Sequence, residues 1–404
     1  MASTLVGSEI LRIAREVREL QATGRPVLNL TVGDFSPREF RIPAELEAGI
    51  VAALGRGQTN YPPADGMLEL REAVRGFYAA ELALDYPLES ILVSCGARPL
   101  IWGTYRAVVD RGDKVVYPVP SWNNNHYCHL VEAAGVAVET RPENGFLPTA
   151  EELAPHLEDA VLLALNSPLN PAGTGFRHEQ LAAIAELVVA ENRRRGPDAK
   201  PLYLLYDQIY WLVAADSAPH ATPVDLVPEV APYTILVDGI SKAFAATGLR
   251  VGWAAAPPHL ALGMRDLLGH VGAWAPKPEQ VATAAILGEP ALARRLAGAV
   301  RDGIDARLGE LDRGLDRLRA DGLPITHLPP AGALYLSVRF DLVERFGNNR
   351  GIRQHLLHEA GFAVVPFHAF GTGDANGWFR LSVGAVGVDE IAPAIERVRA
   401  ALAG

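Results

Sequence analysis

The stretch Asp238–Trp253, DGISKAFAATGLRVGW, follows an apolar run, Thr234-Ile235-Leu236-Val237, that reads as a buried strand. Lys242 stands just past that run. Arg250 comes eight residues later, after a Thr247-Gly248 turn. A lysine at the mouth of a strand is partly desolvated, which disfavours its ammonium form and frees a nucleophilic amine. An arginine close by can hold a phosphate through paired donors. Lysine and phosphate clamp together suit a Schiff-base cofactor with a phosphate tail. Taken alone, Lys242 also reads as an ordinary solvated lysine beside a loop; the rest of the chain has to decide.

Working outward, short apolar runs alternate with helical patterns from Ser90 onward. The strand candidates are Ile91–Ser94, Lys114–Tyr117, Val136–Thr140, Val161–Leu165, Leu202–Tyr206 and Thr234–Asp238. They are nearly continuous in apolar residues, which predicts burial on both faces and a mostly parallel sheet between helices. Ligands of such sheets sit at the carboxyl ends of the strands, so the residues after each run matter most. Cys95-Gly96-Ala97-Arg98 opens a helix whose free N–H groups can face a phosphate. Trp122, in Pro118-Val119-Pro120-Ser121-Trp122, either stacks on an aromatic ring or anchors its loop. The Asn166–Gly173 cluster, NSPLNPAG, either aims an amide or is a plain turn. Asp207 ends an apolar strand and predicts a cationic partner.

Toward the N-terminus, Ser8 to Ala22 predicts a capped helix with Ile10, Ile13, Val17 and Leu20 on one face. A short strand, Val27 to Val32, ends at Gly33, which either admits a ligand to the backbone or makes a turn. Tyr61 lies in a proline-bearing loop, and helical spacing resumes at Met67. Past Trp253 the alternation fades. An irregular 270–278 segment holds Trp274 and Lys277, and 290–320 reads as a long charged helix. A smaller unit follows, with strands Ala333–Val338, Ala363–Val365 and Trp378–Val383, a helix Ile352–Ala360 and a last helix from Asp389. Arg380 sits inside the last of those strands, where it needs an anion or an edge position.

A chain of 404 residues is too long for one small core and predicts two unequal domains. The net charge of -10 argues against a general nucleic-acid binder. Cys95 and Cys128 are too few for a disulfide framework or a structural zinc site, so no metal and a reducing, cytoplasmic setting are expected. No apolar run reaches membrane-spanning length.

Together, Asn-x-Pro-x-Asn-Pro-x-Gly at 166–173, Tyr-Asp-x-x-Tyr at 206–210, Ser-Lys-x-x-x-x-x-Gly-x-Arg at 241–250 and Phe-Arg-Leu-Ser at 379–382 resemble the class I/II aminotransferases, fold-type I pyridoxal-phosphate enzymes. The resemblance runs from Leu30 to Ser382 with the motifs in the family's order, and bacterial aspartate aminotransferases match the pattern best. It implies an α/β fold: an N-terminal arm over 1–42, a large cofactor domain over 43–285 and a small C-terminal domain over 286–404. It implies pyridoxal 5'-phosphate on Lys242, with Asp207 at the pyridine nitrogen and Tyr210 and Asn170 at the phenolic oxygen. Trp122 would stack on the ring; Arg250, Gly96 and Ala97 would hold the phosphate. Arg380, with Gly33, would take the substrate α-carboxylate. Tyr61 resembles the tyrosine that reaches the neighbouring subunit's phosphate, implying a homodimer with shared sites. Many members place a serine where this chain has Gly239, which leaves Ser241 as a candidate substitute.

Arg98 occupies the position of a lysine that reads a side-chain carboxylate in some relatives, and Lys277 resembles a residue reaching across the dimer. One or both would read a dicarboxylate, which predicts an amino donor such as aspartate or glutamate with 2-oxoglutarate as acceptor; the alternative is that Arg98 caps something local and Lys277 is solvated. The alternatives are a carbon–sulfur or β-lyase of the same fold and an aromatic- or alanine-type aminotransferase. A transcription regulator is disfavoured, because the fold begins at Leu30 and leaves no room for a DNA-binding domain. A pseudoenzyme is disfavoured by the presence of Lys242, Asp207, Arg250 and Arg380.

Overall fold

The computed structural model describes residues 9–403; the Ser8 cap lies outside them. The first helix, Glu9–Ala22, buries Ile13 and Val17 against Leu357 and Ala363. In chain order the strands are β1 (Leu28–Asn29), β2 (Ile91–Ser94), β3 (Lys114–Val119), β4 (Ala134–Glu139), β5 (Ala160–Asn166), β6 (Tyr203–Asp207) and β7 (Thr234–Gly239). They continue with β8 (Gly252–Ala255), β9 (Ile325–His327), β10 (Tyr335–Phe340), β11 (Phe362–Ala363), β12 (Val365–Pro366) and β13 (Trp378–Ser382).

Strands β2 to β8 form a seven-stranded sheet in the order β2-β8-β7-β6-β5-β3-β4. The pairs among β3 to β7 are parallel, as the continuous apolar runs predict. Helices cover it, and buried residues fill both faces. The fading of the alternation past Trp253 is corrected by β8, which lies antiparallel between β2 and β7. Its residues are Gly252, Trp253, Ala254 and Ala255; glycine and alanine are depleted in strands, so composition conceals it.

A second sheet, β12-β13-β10-β9, is antiparallel and packs with the 31-residue helix Pro290–Ala320 and the last helix, Val388–Ala403. Three expectations change here. The run Ala363–Val365 splits between β11 and β12, which belong to different sheets. The strand expected over Val27 to Val32 shrinks to β1, because Leu28 and Leu30 donate to Gly361 and Ala363 while Leu30 accepts from Ser382. Its backbone bonds are divided between two partners, and no long ladder forms. The irregular 270–278 segment ends earlier than expected, since Lys277 opens the helix Lys277–Leu287. No described helix is long and apolar enough to cross a membrane.

This topology gathers chemistry at one edge. Asn166 pairs with Asp207 at the carboxyl ends of β5 and β6, and Gly239 ends β7 beside them. Because β8 runs antiparallel, Arg250 enters the same edge from the start of β8, beside Gly96 at the end of β2.

Candidate active site

Lys242 lies in the one-turn helix Ile240–Ala243 directly after β7. Its Nζ donates to the carbonyl of Gly33 at 2.8 Å and stands 5.7 Å from the Phe35 ring and 5.8 Å from the Tyr210 ring. Burial pushes its ammonium down to about 8; Asp34 opposes that shift, while the charges of Arg380, Arg98 and Arg250 add to it. Burial likewise pushes the Asp207 carboxyl up to about 7, against a hydrogen bond from the Ile209 N–H and the charge of Lys242. An acid and an amine each held near neutrality in one cleft can exchange charge with a bound group.

Three guanidinium groups surround this pair. Arg250 adopts φ 57°, a left-handed conformation that costs a non-glycine residue roughly 1–2 kcal/mol. It donates to Thr247 and Cys95 carbonyls at 2.7 and 3.0 Å and lies flat against Gly96. A Cβ on Gly96, itself at φ 89°, would stand 2.8 Å from the Arg250 Cζ. Gly96 caps the helix Ala97–Val108, so arginine and helix N-terminus converge on one spot. Arg380 is buried, donating to the Thr31 carbonyl at 2.8 Å and Asn170 Oδ1 at 3.1 Å, and its Nε has no partner. Arg98 is exposed, with its guanidinium carbon 5.3 Å from the Trp122 ring. Among the described residues none of Lys242, Arg98, Arg250 and Arg380 has a carboxylate partner. For the buried Arg380 an unpaired Nε costs about 1–3 kcal/mol, and four cations without a carboxylate in one cleft suit anionic ligands.

Asn170 is placed by its loop: Asn166 Oδ1 accepts from the Asn170 N–H at 2.8 Å, and Asn166 Nδ2 donates to the Asp207 carbonyl at 2.8 Å. Ser241 is buried next to Lys242. The serine missing at Gly239 has a steric cause, because a Cβ there would meet the Val251 carbonyl oxygen at 2.7 Å and Gly252 Cα at 2.8 Å.

Within one chain, Tyr61 and Lys277 do not join this group. They line a separate cleft of about 850 Å³ with Leu54, Asn60 and Trp274. Tyr61 is 80% exposed and packs edge-on against Trp274, while Lys277 Nζ donates to Asn60 Oδ1 at 2.8 Å.

Two features escape the sequence reading. Tyr335 of β10 bonds the Tyr210 hydroxyl at 2.7 Å, a partnership across 125 residues that no local spacing signals. Asp238 is buried behind the cleft, accepting from Trp211 Nε1 at 2.6 Å, the Gly239 N–H at 2.6 Å and the Tyr78 hydroxyl at 3.2 Å. Burial pushes its carboxyl up to about 7. The one sequence signal for it is an acid closing an apolar strand, the same signal that marks Asp207.

The pattern of the family described as aminotransferase class I and II matches residues 25–398. Aspartate aminotransferases of Rhizobium meliloti and Geobacillus stearothermophilus are 30% and 28% identical to the chain. The first comparison covers 99% of this chain and 94% of the relative; the second covers 98% and 96%. The solved structure of the Thermus thermophilus aspartate aminotransferase with maleate superposes with a TM-score of 0.88 at 28% identity, covering 99% of this chain and 98% of that one.

Proposed function

Because this chain belongs to the class I and II aminotransferase family, we propose that it moves the amino group of aspartate, or a related dicarboxylic amino acid, to 2-oxoglutarate. Aminotransferases of this family are pyridoxal-phosphate enzymes. The residues of the cleft fit that group: one desolvated lysine, one half-buried carboxylate, and an arginine, Arg250, beside the N-terminus of the Ala97–Val108 helix. When bound, pyridoxal 5'-phosphate supplies an aldehyde for the lysine and a ring that accepts electrons from the substrate α-carbon.

The single observation that carries the substrate reading is the set of three guanidinium groups without carboxylates. Arg250 serves the cofactor phosphate and Arg380, with its unpartnered Nε, serves the substrate α-carboxylate. Arg98 remains, exposed over Trp122, for a distal carboxylate. A solved relative holds maleate, itself a dicarboxylate. Asp207 would balance a protonated ring nitrogen, and Tyr210 and Asn170 would hold the phenolic oxygen. Trp122 would stack on the ring. Lys242 Nζ would carry the proton to and from the substrate α-carbon, which its lowered affinity for protons permits. Ser241 supports the phosphate.

Further support exists for two structural parts of this reading. The hydrophobic cluster of Leu28, Leu30, Phe35 and Phe40 with residues of the C-terminal sheet fits an arm over 1–42 packed on a small domain over 286–404, and it meets the large domain over 43–285 through Ile209, Tyr210, Val213 and Ala245. The exposed Tyr61, Leu54 and Val51 fit a homodimer in which Tyr61 reaches the partner's phosphate and Lys277 its substrate side chain. Two free cysteines fit the cytoplasm.

An amino-donor screen against 2-oxoglutarate tests the function. Aspartate or glutamate as the best donor, with the matching oxo acid formed, supports it. Preference for phenylalanine or alanine would move the protein to the aromatic or alanine type. Pyruvate and ammonia from aspartate would make it a lyase.

A further inference from the structure

Behind the cleft two phenols share one hydrogen bond, the 2.7 Å contact between Tyr210 and Tyr335. Both rings are buried, and burial pushes both hydroxyls up, so each keeps its proton near neutrality. The pair therefore holds two protons, of which the shared contact takes one. The other must leave the pair from whichever phenol accepts.

Three neighbours decide which phenol that is. The Arg380 guanidinium carbon lies 4.7 Å from the Tyr335 ring; its charge eases the proton of both phenols but counts for more at Tyr335, which makes that hydroxyl the readier donor. Gly33 crowds the same hydroxyl: a Cβ there would stand 2.8 Å from the Tyr335 oxygen. Lys242 Nζ, held by the same Gly33, stands 5.8 Å from the Tyr210 ring. A phenol O–H prefers its ring plane and has two settings. If Tyr335 donates from one side, the Tyr210 proton takes the other.

We propose that Tyr335 is a positioning residue, whose hydrogen bond to Tyr210 fixes the Tyr210 proton so that it points into the Lys242 cleft. This rests on the reading of Tyr210 as the donor to the cofactor's phenolic oxygen. Arg380, Tyr335 and Tyr210 then form one line from the carboxylate site to the reacting centre.

The test uses the holoenzyme and the pH midpoint of its visible absorbance. A donor to the phenolic oxygen favours the deprotonated form, so losing its alignment raises the midpoint. Tyr335→Phe keeps the ring under Arg380 and removes only the hydroxyl. It is expected to raise the midpoint by about half to one pH unit and to lower kcat roughly fivefold, with KM for the amino donor within about twofold. 3-Fluorotyrosine at 335 keeps a more acidic hydroxyl and is expected to lower the midpoint; it decides the matter if the phenylalanine variant does not fold. In a Tyr210→Phe background, Tyr335→Phe should add nothing. Equal losses in both backgrounds, or a midpoint that moves with Tyr210→Phe but not with Tyr335→Phe, overturn the inference alone. A midpoint indifferent to Tyr210→Phe overturns both it and the reading of Tyr210.

Discussion

The Nζ of Lys242 donates to the carbonyl oxygen of Gly33 at 2.8 Å across 209 residues of sequence. That contact ties the strand-end lysine to the segment that also carries Asp34 and Phe35. It sets the amine among opposing influences: burial and three arginines press it toward neutrality, and Asp34 opposes them.

A consequence is measurable in the cofactor-free protein. Labelling of Lys242 by an amine reagent, followed by peptide mass analysis, should rise with a midpoint near pH 8 instead of the ordinary lysine value. Arg380→Gln should raise the midpoint and Asp34→Asn should lower it. The sign for stability follows from proton counting. Between pH 8 and 10.5 the unfolded chain binds the proton and the native lysine does not, so this group's contribution to stability increases with pH over that window. Labelling that tracks the surface lysines would contradict the site.

Arg98→Ala should raise KM for aspartate by about tenfold, as expected for one lost charge-assisted contact at an exposed position. KM for alanine or phenylalanine should change far less. Steady-state kinetics with the three donors decides it, and equal losses for all of them would remove Arg98 from substrate recognition.

Much of this site was legible in the sequence because strand ends in a parallel sheet are where ligands go: Asp207 closes an apolar run, Lys242 stands just past another, and Arg250 follows the next turn. Asn170 carried a loop signature of asparagine and proline. Tyr335 did not announce itself: within β10 it is one more apolar-looking strand residue, and only the return of the chain beside β13 brings it to Arg380 and Tyr210. The strand β8 was hidden by small residues. Tyr61 and Lys277 carried motif resemblance, yet their contacts within one chain are with Trp274 and Asn60.

Gly239→Ser would install the hydroxyl that the family resemblance leads one to expect. Here it should destabilise the fold by about 1–3 kcal/mol, because the new Cβ meets backbone atoms of Val251 and Gly252 that cannot rotate away. Denaturant unfolding of the two proteins checks the sign. A variant as stable as the parent, with tighter cofactor binding, would show that the β7 end has room to spare.

Shared sites in a homodimer predict complementation. Lys242→Ala and Tyr61→Ala should each be poorly active alone. Unfolded together and refolded, about half of the dimers are hybrids with one intact site, so roughly a quarter of parental activity should return. No recovery, with hybrids present by mass, would mean that Tyr61 does not act across the interface.

The most direct measurement is to load the protein with pyridoxal 5'-phosphate, reduce it with borohydride and map the pyridoxyl group by peptide mass spectrometry. The account predicts a single modified peptide carrying the group on Lys242, and none in Lys242→Ala. A stable adduct on Lys114, Lys200 or Lys277 with Lys242 unmodified would contradict it.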